Sequence, residues 1–252
     1  MIGRSTSDKE HGRLIRKLEA IVDLSESESQ AILELPITVK NLGPDEDFVL
    51  DGDRPSDCCL LVEGFACRNK ILVDGRRQIM SFHIPGDIPD LQSLHLKVMD
   101  HSISTLMPST VGFIPHDALR EFTHRHPRMG DVLWRDTLID AAVFREWMIG
   151  IGRRSAYTRI AHLFCELVVR MRAVGLADGN SVEIPMTQAE LGDALGLSTV
   201  HVNRVLQERR GDGLITLRGR YLGVEDWPGL KQAGEFDVTY LHLSGKALDA
   251  AA

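Results

Sequence analysis

Residues 187–206 read Thr-Gln-Ala-Glu-Leu-Gly-Asp-Ala-Leu-Gly-Leu-Ser-Thr-Val-His-Val-Asn-Arg-Val-Leu, and this stretch decides the fold of the C-terminal half. Thr187 followed three positions later by Glu190 is a capping box, which predicts the start of a short helix. Gly196 predicts the turn after that helix, and Ser198 is a good N-cap for a second one. Two short helices joined by a glycine turn predict a helix-turn-helix, whose second helix enters the major groove of DNA.

The apolar positions of this stretch fit two helices that pack on a common core. Gly192 is small enough to let the second helix cross the first closely. The residues predicted to be buried are Leu191, Leu195, Leu197, Val202, Val205 and Leu206.

The opposite face of the second helix carries side chains that can read bases. Arginine pairs with guanine, asparagine or glutamine with adenine, and a valine or threonine methyl touches the methyl of thymine. Ser198 and Thr199, at the helix N-terminus, also suit a phosphate contact. An ordinary solvated face remains the alternative, above all for Gln207 and His201. The candidate base-reading residues are Thr199, Val200, His201, Asn203, Arg204 and Gln207.

Downstream, two short apolar runs flank the basic turn Arg218-Gly219-Arg220. The runs cover residues 213–217 and 221–224 and predict two strands, which would form the wing of a winged helix. We expect Arg218 and Arg220 to meet backbone phosphates; the alternative is that they are simple surface arginines.

The distribution of charge permits DNA binding without demonstrating it. The 252 residues have a net charge of −7, and residues 1–152 hold all of the acidic excess, with 17 Lys and Arg against 24 Asp and Glu. Residues 153–252 hold 12 of each. Residues 198–220 hold five arginines against two acidic residues.

The segment from about 36 to 115 alternates short apolar runs with turn signals such as Asp51-Gly52 and Asp74-Gly75. Glycine accepts a positive φ without a Cβ clash, so such pairs favour tight turns between strands. Many short strands at this spacing predict an antiparallel sandwich or barrel.

From about 117 to 174 the pattern is helical, with Pro127 placed in the first turn of a long helix. A second helix is predicted from Ser155 to Val174, with Gly175 as its stop. The apolar stripe of the long helix either packs within its own domain or forms a dimer seam. Its members are Trp134, Leu138, Ala141, Met148 and Ile151.

Several classes of protein are excluded or not indicated. No run approaches the roughly 18 apolar residues of a membrane span, and the polar residues 1–12 show neither a signal peptide nor an amphipathic anchor. The cysteines at 58, 59, 67 and 165 lack disulfide-rich or metal spacing, which favours a reducing cytoplasm. No catalytic or metal-binding motif is present, so an enzyme is not expected.

Taken in order, the elements resemble the cyclic AMP receptor protein/fumarate-nitrate regulator (Crp/Fnr) family of bacterial transcription regulators. The resemblance runs from about Leu14 to Trp227 and includes residues 75–79 and 82–87, which look like the family's β-roll core. It implies an α+β chain: an antiparallel β-roll of the cyclic-nucleotide-binding type, a long dimerisation helix and a C-terminal winged helix-turn-helix. It also implies a cytoplasmic homodimer that binds a near-palindromic operator in double-stranded DNA and contacts RNA polymerase, with no membrane.

The domain boundaries follow from this order. We expect a β-roll sensor domain with flanking helices at 1–126 and the dimerisation helix at 127–153. The winged helix-turn-helix is expected at 154–226 and a C-terminal tail at 227–252. The tail is similar to that of a subgroup common in alphaproteobacteria.

Departures from the family pattern bear on the effector, which the sequence does not identify. Gly86-Asp87 matches the opening of the family's phosphate cassette, with Asp in place of Glu. In the closing segment His101, followed by Ser102, stands where an Arg would pair with the cyclic phosphate. A neutral imidazole lacks the charge and fork of a guanidinium, so we expect no tight cyclic AMP binding. Iron–sulfur and haem signatures are missing. Val200 stands where well-known members carry Glu, so the familiar operators need not apply.

One function of another class remains open: a ligand-binding module whose winged helix mediates protein contacts instead of binding DNA. Salt dependence separates the two, because DNA binding weakens steeply with salt through counterion release.

Overall fold

The computed structural model describes residues 7–251, which form two compact units. The first comprises residues 7–70 and 82–140, and the second residues 71–81 and 141–251. The helices are α1 Ser7–Glu19, α2 Glu26–Leu33, α3 His116–Arg125, α4 Pro127–Arg153, α5 Ala156–Ala173, α6 Gln188–Leu195, α7 Thr199–Gly211, α8 Trp227–Gly234 and α9 Gly245–Ala251, with 3-10 turns at Leu91–Leu94 and Val238–Leu241. The strands are β1 Thr38–Leu42, β2 Asp47–Val49, β3 Asp57–Glu63, β4 Ala66–Ile71, β5 Arg77–His83, β6 Ser102–Thr105, β7 Ser109–Pro115, β8 Ala177–Asp178, β9 Ser181–Glu183, β10 Ile215–Arg218 and β11 Tyr221–Val224.

Strands β1 to β7 form the predicted antiparallel β-roll from two sheets, with strand orders β1-β7-β3 and β2-β6-β4-β5. Gly52 and Gly75 have φ of 94° and 82°, as the Asp-Gly turns require. Cys58 packs in the core between β3 and the helices, whereas Cys59 packs in the core between the sheets. Adjacent residues of a strand point to opposite faces, so the two thiols are separated.

Two strands of the roll carry no apolar run, so sequence reasoning missed both of them. β1 is exposed at four of its five residues and is held by antiparallel pairing with β7. β4 reads Ala-Cys-Arg-Asn-Lys-Ile, and its Arg68 and Asn69 are buried. Polar side chains at interior positions hide the alternation by which a strand is recognised.

The long helix α4 begins at Pro127 and ends at Arg153, the bounds given to the dimerisation helix. Its residues Met129, Val132, Leu133 and Ile139 pack in the core of the first unit. Proline suits the first position of a helix because it has no N–H to leave unpaired there.

In the second unit, α5 starts at the N-cap Ser155, whose side chain accepts from Thr158 N, and Gly175 follows its end with φ of 70°. Strands β8 to β11 form a sheet of order β10-β11-β9-β8. Helices α8 and α9 pack against α5. Residues 227–251 therefore belong to the same compact unit as the helix-turn-helix. The predicted boundary between the DNA-binding domain and the tail at residue 226 stays a prediction.

Over residues 7–251, none of the helices combines the length and the apolar character needed to span a membrane. The expectation about residues 1–12 rests partly on residues 1–6, which lie outside the described residues; residues 7–12 belong to α1.

Candidate nucleic-acid interface

The first helix of the motif, α6, starts with the predicted capping box. Thr187 N donates to Glu190 Oε2 at 2.6 Å, and Glu190 N donates to Thr187 Oγ1 at 3.2 Å. Each side chain thus satisfies an amide that the helix cannot pair. Leu191, Ala194 and Leu195 are buried beneath this start.

The turn between the helices depends on two glycines. Gly196 adopts a left-handed conformation with φ of 64°, which ends α6. A Cβ at Gly192 would lie 2.6 Å from the carbonyl oxygen of Leu197, and Leu197 N donates to Gly192 O at 3.0 Å. Gly192 therefore admits the backbone of the turn, and the first residue of the second helix also lies close, with Thr199 N 3.9 Å from that Cβ position. Leu197 is only half-buried.

Helix α7 presents the predicted polar face to solvent. Ser198 caps it by accepting from His201 N at 3.3 Å, and Val202, Val205 and Leu206 are buried beneath it. Val200 is 81% exposed, an unusual position for a large apolar side chain. His201 is half-buried; the other candidates on this face are exposed, namely Ser198, Thr199, Val200, Asn203, Arg204 and Gln207.

Asn203 has a partner that sequence reasoning missed. Its Nδ2 donates to Oε1 of Gln188, the first residue of α6, at 3.1 Å. The two residues are 15 positions apart, so no local spacing signals the bond. The bond orients the Asn203 amide and ties the two helices together at their exposed edge.

Arg209 does not belong to the basic surface, although it lies within the arginine-rich stretch. It is fully buried, its Cζ lies 3.0 Å from the ring centroid of Tyr157, and it donates to the Tyr157 carbonyl. Desolvation lowers the pKa of Arg209 from its ordinary value. Four exposed arginines remain in residues 198–220: Arg204, Arg210, Arg218 and Arg220.

Strands β10 and β11 form the predicted wing, and Arg218 pairs with Tyr221 across its end. Gly219 has φ of 62° in the two-residue turn, so the chain reverses between two exposed arginines, Arg218 and Arg220. Tyr221 is also more than half exposed and lies beside Arg218. From the sequence Tyr221 was predicted only as a strand residue, because its residue type favours strands.

Comparison with known proteins agrees with this geometry. A family model of the cyclic nucleotide-binding domain matches residues 39–126, and a model of the Crp-like helix-turn-helix domain matches residues 158–233. The transcriptional activator protein FnrL of Cereibacter sphaeroides is 27% identical over 221 residues, which are 86% of this chain and 88% of FnrL. The nitrogen fixation regulation protein FixK of Rhizobium meliloti is 26% identical, covering 73% of this chain and 80% of FixK.

A solved structure shares the fold. FixK2 from Bradyrhizobium japonicum aligns with a TM-score of 0.73 at 24% identity, covering 79% of this chain and 98% of FixK2. The chain belongs to the Crp/Fnr family. It is a transcription regulator of the Crp/Fnr type, with a β-roll, a long helix and a winged helix-turn-helix.

In this Crp/Fnr regulator the stripe on α4 lies largely on the surface. Trp134 is 62% and Met148 68% exposed, Leu138 and Ile151 are about half exposed, and Ala141 is half-buried. Large apolar side chains in a row on one helix face are the pattern of a covered seam. The stripe therefore does not pack within its own chain, and the dimer seam stays the prediction.

The four expected effector residues of the regulator lie in the β-roll unit, where each makes hydrogen bonds with different neighbours. Asp87 is buried and bonded to the backbone amide of Ile84 at 3.0 Å. Beside it, Gly86 has φ of 104°, and a Cβ there would lie 2.8 Å from Arg13 O. Ser102 instead accepts from the backbone amide of Asp51 at 3.0 Å.

His101 of the regulator is buried and held by its neighbours. Its Nδ1 lies 2.6 Å from Asp100 Oδ1, and its Nε2 lies 3.3 Å from Gln92 Nε2. Desolvation, together with the positive charge of Arg68, lowers the pKa of His101 below its ordinary value. The imidazole is therefore neutral near pH 7 and supplies no permanent charge for a phosphate.

All four cysteines are buried thiols that form no disulfide among the described residues. Desolvation raises the pKa of the Cys165 thiol to about 12 and that of the Cys58 thiol well above its ordinary value. Such thiols are unreactive structural groups. Within the part of the chain that the structure describes, no group of three or more His, Cys, Asp or Glu residues is arranged to hold a metal ion.

Proposed function

We propose that this Crp/Fnr regulator acts as a homodimer on a near-palindromic operator, with one α7 helix in each of two successive major grooves. The observation that carries this proposal is the exposed, base-reading face of α7 above an anchored apolar face. In a symmetric dimer the two helices meet half-sites about one helical turn of DNA apart, which is why the operator is palindromic.

The exposed side chains of α7 have complementary roles in this proposal. Arg204 donates to a guanine, and Asn203, held by Gln188, presents its amide to an adenine. Val200 supplies an apolar contact for a thymine methyl. Ser198 contacts a phosphate at the helix N-terminus, where the helix dipole favours an anion. The remaining residues of the proposed DNA-contacting face are Thr199, His201 and Gln207.

The wing supplies contacts that position the protein without reading sequence. Arg218 and Arg220 stand on either side of Gly219 at the exposed end of the hairpin. Arginine at such a site pairs with backbone phosphates and releases counterions. The wing therefore adds affinity and salt dependence, while α7 adds discrimination.

The homodimer is built on α4 in this proposal, through Trp134, Leu138, Ala141, Met148 and Ile151. Exposed apolar area along one face of a 27-residue helix gives a second copy a surface to cover. We place the regulator in the cytoplasm because its DNA target lies there, and we include RNA polymerase among its partners on the basis of the family.

Titration of labelled DNA tests this proposal. The duplex is one selected by the protein from a random pool, and anisotropy is measured from about 50 to about 200 mM salt. We expect two chains per duplex and an affinity that falls steeply with salt, while a scrambled duplex binds far more weakly. Equal affinity for both duplexes, or no dependence on salt, would reject sequence-specific DNA binding.

A further inference from the structure

Two aspartates on α4, one helical turn apart, face cations from other elements of the β-roll unit. Asp136 Oδ1 lies 3.5 Å from the Nζ of Lys17, which belongs to α1. Lys17 Nζ also lies 2.8 Å from Asp87 Oδ1. The three side chains are between 6% and 17% exposed, so water screens this bridge only weakly.

The second aspartate meets a different cation. Asp140 Oδ2 accepts from Arg68 of β4 at 2.8 Å, and the other terminal nitrogen of Arg68 donates to the Pro89 carbonyl. The Arg68 side chain is only 4% exposed, whereas that of Asp140 is 35% exposed. The arginine therefore links a strand, a loop and α4. We call Lys17, Arg68, Asp87, Asp136 and Asp140 the ion-pair cluster.

The approach of α1 that brings Lys17 to this place depends on Gly86. A Cβ at that residue would lie 2.8 Å from both Arg13 O and Lys17 Cβ. Only a residue without a side chain lets α1 come this close to the loop that carries Asp87. Gly86 thus allows the close approach of α1 that places the Lys17 ammonium beside Asp87.

Buried ion pairs add little net stability compared with apolar residues, because desolvation offsets their attraction. In some proteins such pairs fix geometry instead, and removing one partner is strongly destabilising because it leaves an uncompensated charge. Each of the three aspartates in the cluster faces a cation that the chain itself supplies. The cluster therefore serves to orient α4 on the β-roll.

We propose that Lys17 and Arg68 are positioning residues that fix α4 on the β-roll from within the chain, so that operator binding needs no small-molecule effector. This inference rests on the proposed function, in which α4 is the dimer helix. No bond is made or broken; the cations act only through the placement of α4.

The test compares wild type with Lys17→Met, Asp140→Asn and the control Lys9→Met. Lys9 pairs with Glu63 at the surface, and both side chains are about half exposed. Asp140→Asn keeps the shape of a partly exposed residue, so this variant can fold even if Lys17→Met does not. The measurements are operator affinity, amide hydrogen exchange in residues 131–141, and the native mass of the protein–operator complex.

We expect Lys17→Met and Asp140→Asn to bind the operator at least tenfold more weakly, with faster exchange in residues 131–141, while Lys9→Met matches wild type. The mass of the wild-type complex should equal two chains and one duplex. Wild-type affinity and exchange in Asp140→Asn, or a bound small molecule in proportion to the chains, would overturn the inference. If wild type binds no DNA, the proposed function fails, and the exchange of residues 131–141 still decides the role of the cluster.

Discussion

At the scale of single residues, Arg204 and Arg209 show that residue type alone does not tell which side chain is free to contact DNA. They lie five positions apart on α7, yet Arg204 faces solvent and Arg209 is buried against Tyr157. Helical periodicity predicted the exposure of Arg204 because it lies opposite Val202 and Leu206. It could not predict the partner of Arg209, which comes from a different helix. Sequence periodicity likewise could not predict the bond between Asn203 and Gln188, or the ion-pair cluster, whose two cations are far in sequence from the aspartates that they face.

Asp90 gives a pH dependence at this scale. It is fully buried, its Oδ1 accepts from Cys59 N at 2.7 Å, and its Oδ2 has no hydrogen-bond partner among the described residues. Desolvation raises its pKa to about 7, against the lowering effects of the Cys59 bond and of Arg68. In the unfolded chain the carboxyl of an aspartate has a pKa of about 3.9. Between these values the native state holds a proton that the unfolded chain has lost, so this group's stabilisation falls as pH rises.

Asp90→Asn removes this titration. We expect the stability of Asp90→Asn relative to wild type to increase between about pH 5 and about pH 8, measured as the free energy of unfolding in urea. The exposed Asp117→Asn is the control for removing a carboxylate charge at the surface. A difference between Asp90→Asn and wild type that stays constant over this range would contradict the assignment.

At the scale of elements, the sequence predicted the helices and turns that are specified by residues close to each other in the chain. The capping box of α6, the N-cap of α7, Pro127 at the start of α4 and the Asp-Gly turns depend on residues within a few positions. β1 and β4 were missed because they are defined by their pairing with distant strands. The tail was likewise assigned no structure, and its helices form by packing on α5.

Gly192 and Gly211 provide a matched test of the helix-turn-helix. Gly-to-Ala changes in helices usually stabilise by up to about 1 kcal/mol. At Gly192 the new Cβ would meet the Leu197 carbonyl at 2.6 Å, whereas nothing lies within 4 Å at Gly211. We expect Gly192→Ala to lose about 1–3 kcal/mol in urea unfolding and to bind the operator more weakly. Gly211→Ala should be neutral or slightly stabilising, and equal effects at both positions would contradict the described turn.

At the scale of the whole molecule, the order of domains and the uneven charge were evident from the sequence. Residues 1–152 carry the entire net charge of −7, and the DNA-binding half is neutral with a basic stretch. What the sequence left open was whether the stripe on α4 faces inwards or outwards. Its exposure in the structure favours a seam between two copies.

Leu138→Arg tests that seam. In a twofold-symmetric dimer the substitution places two like charges in an apolar interface, which is costly when they are desolvated. We expect Leu138→Arg to sediment as a monomer at low micromolar concentration, where wild type is a dimer. Leu50→Arg is the control, because Leu50 is 49% exposed and Leu138 50% exposed, but Leu50 lies outside α4. A dimer that survives Leu138→Arg would contradict the role of the stripe.

If the exposed face of α7 reads the operator, a change at Arg204 alters the DNA that the protein selects from a random pool. Wild type, Arg204→Ala and the control Arg54→Ala, an exposed arginine of the β-roll unit, are each used to select duplexes. We expect Arg204→Ala to lose the preference for guanine at one position in each half-site, at a cost of about 1–3 kcal/mol for the wild-type operator. Arg54→Ala should select the wild-type sequence. An unchanged selected sequence for Arg204→Ala would contradict the account.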